Sequence, residues 1–304
     1  MTLRALRHRA EDLALRGVAG LWSLLPEATA LRVGAAMGVL VGGVLRIRRR
    51  DVDRHLGWAF PDRPASWRRS VARASYAHLG REAVVMFRAG GWSAERVLER
   101  TQMVGFGAFR EAARSGNGLV LLTGHIGNWE IGGAAIAARG VPFDVVGKGM
   151  SNRGFQSDLF AARERFGMRV IEMGDAARAA SRSLRQGRVV ALLGDQHAHS
   201  GGIPVPFFGR PAQTTRGPAL LVGGTGAPVW IAFAARDPGP AQRYTVTFEP
   251  LHFTPTGRAD EDAEMLMAAY ARVLEEAIRA TPEQYFWLHR RWKEPGGEEP
   301  GLDG

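Results

Sequence analysis

From about residue 100 onward the chain alternates two hydrophobic patterns. Short, continuous apolar runs are bounded by turn residues, and between them lie stretches with apolar positions at helical spacing. Gly118 to Leu122 (GLVLL) reads as a strand buried on both faces, and Trp129 to Arg139 as a helix. Val141 to Val146, Met168 to Met173 and Val189 to Leu193 repeat the strand pattern; Phe155 to Phe166 and Ala176 to Gln186 repeat the helical one. Pro228 to Ala235 and Arg243 to Phe248 add two strands, and Asp260 to Ala280 a long final helix. Strands that alternate with helices predict an α/β fold: a mostly parallel central sheet flanked by helices.

The first quarter reads differently. Leu13 to Leu25 has mixed helical spacing and stops at Pro26. Val33 to Leu45 (VGAAMGVLVGGVL) is the most apolar run, bounded by Arg32 and by Arg46, Arg48, Arg49 and Arg50. It is shorter than the roughly 20 apolar residues of a membrane span. Two readings fit: an interfacial or partly inserted segment held by its arginines, or a buried core helix. The cluster Phe60-Pro61-Asp62-Arg63-Pro64 marks a turn, and Ala65 to Phe87 a further helix with Ser66 as its N-cap. Residues 1–60 are therefore taken as an N-terminal, membrane-associated helical segment, 61–294 as the catalytic domain, and 295–304 as a polar Gly/Pro/Glu tail.

Charge sharpens this picture. The chain has 40 Lys and Arg against 30 Asp and Glu, and only Lys148 and Lys293 are lysines. A net +10 favours polyanionic partners: acidic lipid, an acidic carrier protein or nucleic acid. Acids are interleaved with the arginines, as Glu82, Glu95 and Glu99 are between Arg63 and Arg100, and no nucleic-acid motif occurs, so nucleic acid is set aside. No cysteine is present, which removes disulfides, thiolate nucleophiles and Cys-based zinc sites. Early charges at Arg4, Arg7, Arg9, Glu11 and Asp12 do not read as a cleavable signal.

The chemistry concentrates in Thr123-Gly-His-Ile-Gly-Asn-Trp-Glu130, which follows a strand and opens a helix. His-x4-Glu alone is weak. Eight histidines and about 10% acids give about 0.8 chance matches, and His289 to Glu294 is a second one. Position separates the two, because ligands of parallel α/β sheets gather at the carboxyl ends of strands. Residues five apart do not share a helix face, so His125 must precede the helix, on a turn that Gly124 and Gly127 permit. Asn128 reads as the N-cap and Glu130 as a first-turn carboxylate. The expectation is that Glu130 accepts a hydrogen bond from one imidazole nitrogen and leaves the other as a general base. No Gly-x-Ser-x-Gly elbow, P-loop or Gly-x-Gly-x-x-Gly is present. A base without an enzyme nucleophile suits direct transfer to a hydroxyl and needs no cofactor.

Gly124 to Glu130, Gly194-Asp-Gln196, Val205-Pro-Phe-Phe-Gly209, Thr214-Thr-Arg-Gly217 and Pro282 to Lys293 together resemble the bacterial lipid A biosynthesis acyltransferases, within the wider lysophospholipid acyltransferase superfamily. The blocks run in order over nearly the whole chain. The resemblance implies an acyl-carrier-protein donor, occasionally acyl-CoA, and a lipid A precursor or similar glycolipid as acceptor. Lysophospholipids, phosphatidylinositol mannosides and ornithine-type lipids stand as alternative acceptors. It also implies work at the cytoplasmic face of the inner membrane, with His125 and Glu130 as the catalytic pair. Substrate-binding blocks map onto Asn128, Lys148, Asn152, Arg163, Asp195 and Gln196. Family members often carry a longer, cleaner N-terminal span than this chain does.

The remaining candidates are cations and aromatics. Lys148, Arg153 and Arg163 suit phosphates of the donor's pantetheine arm or of the acceptor headgroup. Asp195 sits at another strand's carboxyl end, placed to orient substrate or an arginine. Asp195, His197 and His199 lack a clear fourth ligand, so no metal is assigned. Phe207 and Phe208 fit an acyl channel or plain core, and Tyr285, Trp287 and Trp292 a membrane interface or core.

Overall fold

The computed structural model describes residues 17, 20, 22–147, 153–198 and 200–293, with the side chains of 153–155, 158 and 175 excepted. Lys148, Asn152, His199, most of Leu13 to Leu25 and the tail from 294 lie outside the described residues. The side chain of Arg153 is likewise undescribed.

Three helices open the described chain: α1 (Glu27–Gly43), α2 (Arg49–Ala59) and α3 (Ala65–Ala89). The α/β portion runs α4 (Ala94–Glu99), β1 (Thr101–Val104), α5 (Phe106–Arg114), β2 (Leu119–Thr123), α6 (Trp129–Ala138), β3 (Phe143–Gly147), α7 (Arg153–Arg165) and β4 (Met168–Glu172). It continues with α8 (Ala176–Arg185), β5 (Val189–Leu193), β6 (Ile203–Phe207), β7 (Arg210–Thr214), α9 (Gly217–Thr225), β8 (Val229–Arg236), β9 (Tyr244–Pro250) and α10 (Ala259–Ala280).

Seven strands form one sheet in the order β1-β9-β8-β2-β5-β3-β4. Five of them run parallel, while β9 pairs antiparallel with β8 and parallel with β1. Both faces are covered, as a parallel sheet requires. Alternate residues feed two cores. Val120, Leu122, Val190 and Ile231 join one with α8, α9 and α10; Leu119, Leu121, Ala191 and Trp230 join the other with α5 and α6.

The alternating strands and helices therefore stand close to where the sequence puts them. The helices α2, α4, α5 and α9 were not read from the pattern, and three further features also escaped it. β1 is four residues long and lies at the sheet edge, too short to show a period. β6 and β7 form a separate two-stranded hairpin, in which Ile203, Val205 and Phe207 face inward and Pro204 and Pro206 face out. Its prolines mask the alternation. Ser66 is not a cap: α3 starts directly after Pro64 with no side-chain cap.

α1 packs on α3 along a run of glycines, with backbone meeting backbone at Gly38 and Gly80. A Cβ on Gly38 would lie 1.9 Å from the Tyr76 carbonyl oxygen, and one on Gly80 would lie 2.0 Å from that of Gly34. Glycines four residues apart line one helix face and let backbones approach closely. The opposite face of α1 exposes Val33, Met37 and Leu40, followed by exposed Val44, Leu45 and Ile47. The segment is thus half core and half surface. Among the described residues no helix is long and apolar enough to cross a membrane.

Candidate active site

β2 ends at Thr123 and hands the chain to a turn held from three sides. The Gly127 N–H donates to Gln284 O (3.0 Å), the Asn128 N–H to Ala234 O (2.9 Å), and the Phe286 N–H to His125 O (2.9 Å). Gly127 adopts φ +63, and a Cβ there would lie 1.9 Å from the Ala234 oxygen. Only glycine fits such a left-handed, closely approached position. Asn128 Oδ1 accepts from the Ile131 N–H at 3.0 Å and caps α6. The cap and the first-turn position of Glu130 thus follow the sequence reading.

The partner of the imidazole does not. His125 Nδ1 is 2.8 Å from Asp195 Oδ1, and the His125 backbone N–H donates to Asp195 Oδ2 at 2.8 Å. Asp195 lies just past β5, which neighbours β2 in the sheet, and its side chain is 2% exposed. Glu130 instead takes a bidentate grip from Arg163, Nε to Oε2 at 3.0 Å and Nη2 to Oε1 at 2.6 Å. An ionised carboxylate favours such a planar, two-pronged donor. Asp195 rather than Glu130 therefore orients the ring, and Nδ1–H is the tautomer that this bond selects.

The electrostatics agree with that pairing. Burial disfavours charge on His125, but the charge and hydrogen bond of Asp195, with a smaller contribution from Glu130, outweigh it and raise the pKa above 6.5. Burial likewise opposes ionisation of Asp195, yet His125 and the more distant Arg291 bring its pKa below the usual value. Gln196 Nε2 lies 3.3 Å from His125 Nε2 and covers the free nitrogen of the ring. Trp129 meets the ring edge-on at 4.6 Å.

The loop carrying Asp195 is braced by the chain after α10. His289 Nε2 accepts the His197 N–H at 2.8 Å, and burial lowers the His289 pKa to about 4. Arg291 donates to Gln213 O at 2.7 Å and to Thr214 Oγ1. Tyr285, Trp287 and Trp292 are buried, as a core role requires, and Phe207 packs 5.3 Å from Trp292. Asp195 is committed to His125, and among the described residues no three potential metal ligands gather.

A cleft of about 600 Å³, solvent at its mouth included, runs between α6 and the sheet. Glu130 and Arg163 stand on its polar side; Trp129, Gly133, Phe143 and Met168 supply apolar wall. The cavity itself measures only about 60 Å³, so the cleft is narrow as it stands. Asn128, also expected at the substrate, is buried, and its side chain bonds to protein at both ends. Sequence reasoning missed the His125–Asp195 pair, although the position of Asp195 at a strand's carboxyl end was the available signal.

Residues 3–294 match the sequence profile of the bacterial lipid A biosynthesis acyltransferases. The chain is 26% identical over 295 residues to the lipid A biosynthesis lauroyltransferase of Escherichia coli (strain K12), covering 95% of this chain and 94% of the relative. It is 25% identical to the lipid A biosynthesis palmitoleoyltransferase of the same organism, covering 93% and 91%. It is 29% identical over 221 residues to a phosphatidylinositol mannoside acyltransferase of Mycolicibacterium smegmatis, covering 69% and 71%. The chain belongs to the bacterial lipid A biosynthesis acyltransferase family and is an O-acyltransferase.

Proposed function

We propose that this enzyme moves a fatty acyl group from an acyl-carrier-protein thioester to a hydroxyl of a lipid A precursor or similar glycolipid, with His125 as general base. The observation that carries the mechanism is the His125 Nδ1–Asp195 bond, which leaves Nε2 as the basic nitrogen at an exposed glutamine. The acceptor hydroxyl displaces the Gln196 amide and gives its proton to Nε2 as its oxygen attacks the thioester carbonyl. Asp195 stabilises the imidazolium. In this scheme the displaced Gln196 amide donates to the oxyanion of the tetrahedral intermediate. Collapse breaks the C–S bond, and the imidazolium proton goes to the departing thiolate.

Glu130 acts in this scheme through Arg163, holding the guanidinium at the mouth of the cleft that receives the acyl chain. Lys148, Asn152 and Arg153 belong to the neighbouring segment and serve the donor's pantetheine phosphate or the acceptor headgroup. Asn128 serves by position. The two lipid A relatives, aligned over more than nine tenths of both chains, favour a lipid A-type acceptor. The mannoside relative supports phosphatidylinositol mannoside as the second reading, with lysophospholipid as acceptor and acyl-CoA as donor as further variants. The exposed apolar face of α1, next to exposed Arg46, Arg48 and Arg50, suits attachment to the anionic cytoplasmic face of the inner membrane.

The test is acyl transfer from labelled acyl-carrier protein to a panel of lipid acceptors, with wild type and His125→Ala. Transfer to one acceptor that falls at least about 100-fold in the variant supports the reading. Equal transfer by the variant overturns it.

A further inference from the structure

Beside the catalytic turn, α3 buries a second carboxylate. Glu82 Oε2 accepts from Asn128 Nδ2 at 2.7 Å and from Tyr244 OH at 2.7 Å. Its Oε1 lies 3.4 Å from Arg236 Nη1 and 3.8 Å from His78 Nδ1. His78 Nε2 in turn lies 3.4 Å from Gly127 O. Glu82, Arg236, Tyr244 and His78 are all buried. Burying a carboxylate is costly, and no step of acyl transfer touches this one.

We propose that Glu82 is a positioning residue for acyl transfer: through Asn128 it fixes the start of α6, and with it His125 against Asp195 and Glu130 against Arg163. This rests on the proposed role of His125 as base.

The reason is the polarity of the amide. Asn128 has one acceptor end and one donor end. The acceptor must face the Ile131 N–H to cap α6. An ionised carboxylate accepts only, so Glu82 holds the donor end toward itself and forbids the flipped amide. A glutamine in place of Glu82 presents either polarity and enforces nothing. An aspartate in place of Asn128 caps equally well but sets two carboxylates against each other. Glu82 and Asn128 are therefore a matched pair, and exchanging the two chemistries (E82Q with N128D) restores the match. The carboxylate introduced by N128D accepts at both ends. One of its bonds comes from the amide introduced by E82Q, whose second N–H meets the Tyr244 oxygen and whose carbonyl oxygen faces Arg236.

The experiment measures three things on Glu82→Gln, Asn128→Asp, the double variant and Tyr244→Phe. They are kcat and KM for acyl transfer, the melting temperature, and the titration of the His125 ring by NMR in the folded protein. Glu82→Gln is expected to lower kcat about tenfold with KM within about threefold. The His125 titration should move down toward 6.5 as the Asp195 contact loosens. Asn128→Asp should lose more, and the double variant should regain most of the kcat and of the wild-type titration. Tyr244→Phe, which removes a donor but leaves the amide locked, should melt lower with near-normal kcat. A Glu82→Gln protein that melts lower yet keeps wild-type kcat and the wild-type His125 titration overturns the proposal. So does a double variant no better than Asn128→Asp. Because the titration needs no turnover, failure of the positioning role and failure of the acyl-transfer reading give different results.

Discussion

Two buried carboxylates hold the same short turn, and they hold different parts of it. Asp195, from the end of β5, grips the imidazole and the His125 backbone. Glu82, from α3, grips an amide and a phenol and never meets a reacting atom. The first bonds the ring that handles the proton; the second is buried among groups that only hold the turn in place. Chemistry and alignment are thus assigned to separate groups, and variants at each should fail differently.

The largest effect is expected at Asp195. Asp195→Asn keeps the shape but removes the charge and can select the wrong ring tautomer, so kcat should fall about 10³-fold or more. The pH profile should move with it. The wild-type acid limb of kcat/KM is expected above 6.5, because the pair raises the His125 pKa. Without the carboxylate, burial dominates and the limb shifts below 6.5. An unchanged limb would return the orienting role to Glu130.

A smaller effect tests the brace behind Asp195. The folded-state pKa of His289 is about 4, against about 6.5 when unfolded. Between these values the unfolded chain takes a proton that the folded one refuses, so stability is complete above pH 6.5 and declines as pH falls toward 4. The decline amounts to up to about 3 kcal/mol from this group. His289→Gln can still accept from His197, and its urea midpoint should depend less steeply on pH in that window. An equally steep dependence assigns the acid sensitivity elsewhere.

The smallest effect separates Glu130 from both buried carboxylates. Glu130→Gln leaves the His125–Asp195 bond in place and loosens Arg163, so kcat/KM should fall about tenfold, with the pH limb moving only slightly. The Glu130→Gln, Arg163→Gln double variant should cost little more than either single change, because both remove one shared interaction. Additive losses would mean that the two groups act independently.

How much of this was legible follows from the range of each interaction. The strand–helix alternation, the Asn128 cap and the departure of His125 from the helix depend on neighbours within a few residues, and pattern alone exposes them. The His125–Asp195 pair spans 70 positions and exists because β5 lies beside β2, which a strand order outside the sequence order decides. Glu82 reads locally as one more polar residue on an amphipathic helix. Its purpose appears only when α3, α6, β8 and β9 converge. Glu130 illustrates the opposite error. Its place in the first turn of α6 is a local matter and legible, but spacing pairs it with a histidine five residues away, whereas the fold pairs it with Arg163 across the cleft.

The glycine seam between α1 and α3 has a consequence for what the enzyme can reach. Backbones meet at Gly38 and Gly80, and Tyr76 and Val84 are fitted against Gly42 and Gly34, so the seam leaves little to slide or repack and the exposed apolar face of α1 keeps a set orientation toward the sheet. On the proposed membrane footing, α1 acts as a fixed-height pedestal. The distance from the lipid surface to His125 is then a constant of the fold, and an acceptor is chosen partly by altitude: a hydroxyl qualifies when its headgroup carries it to that level above the bilayer.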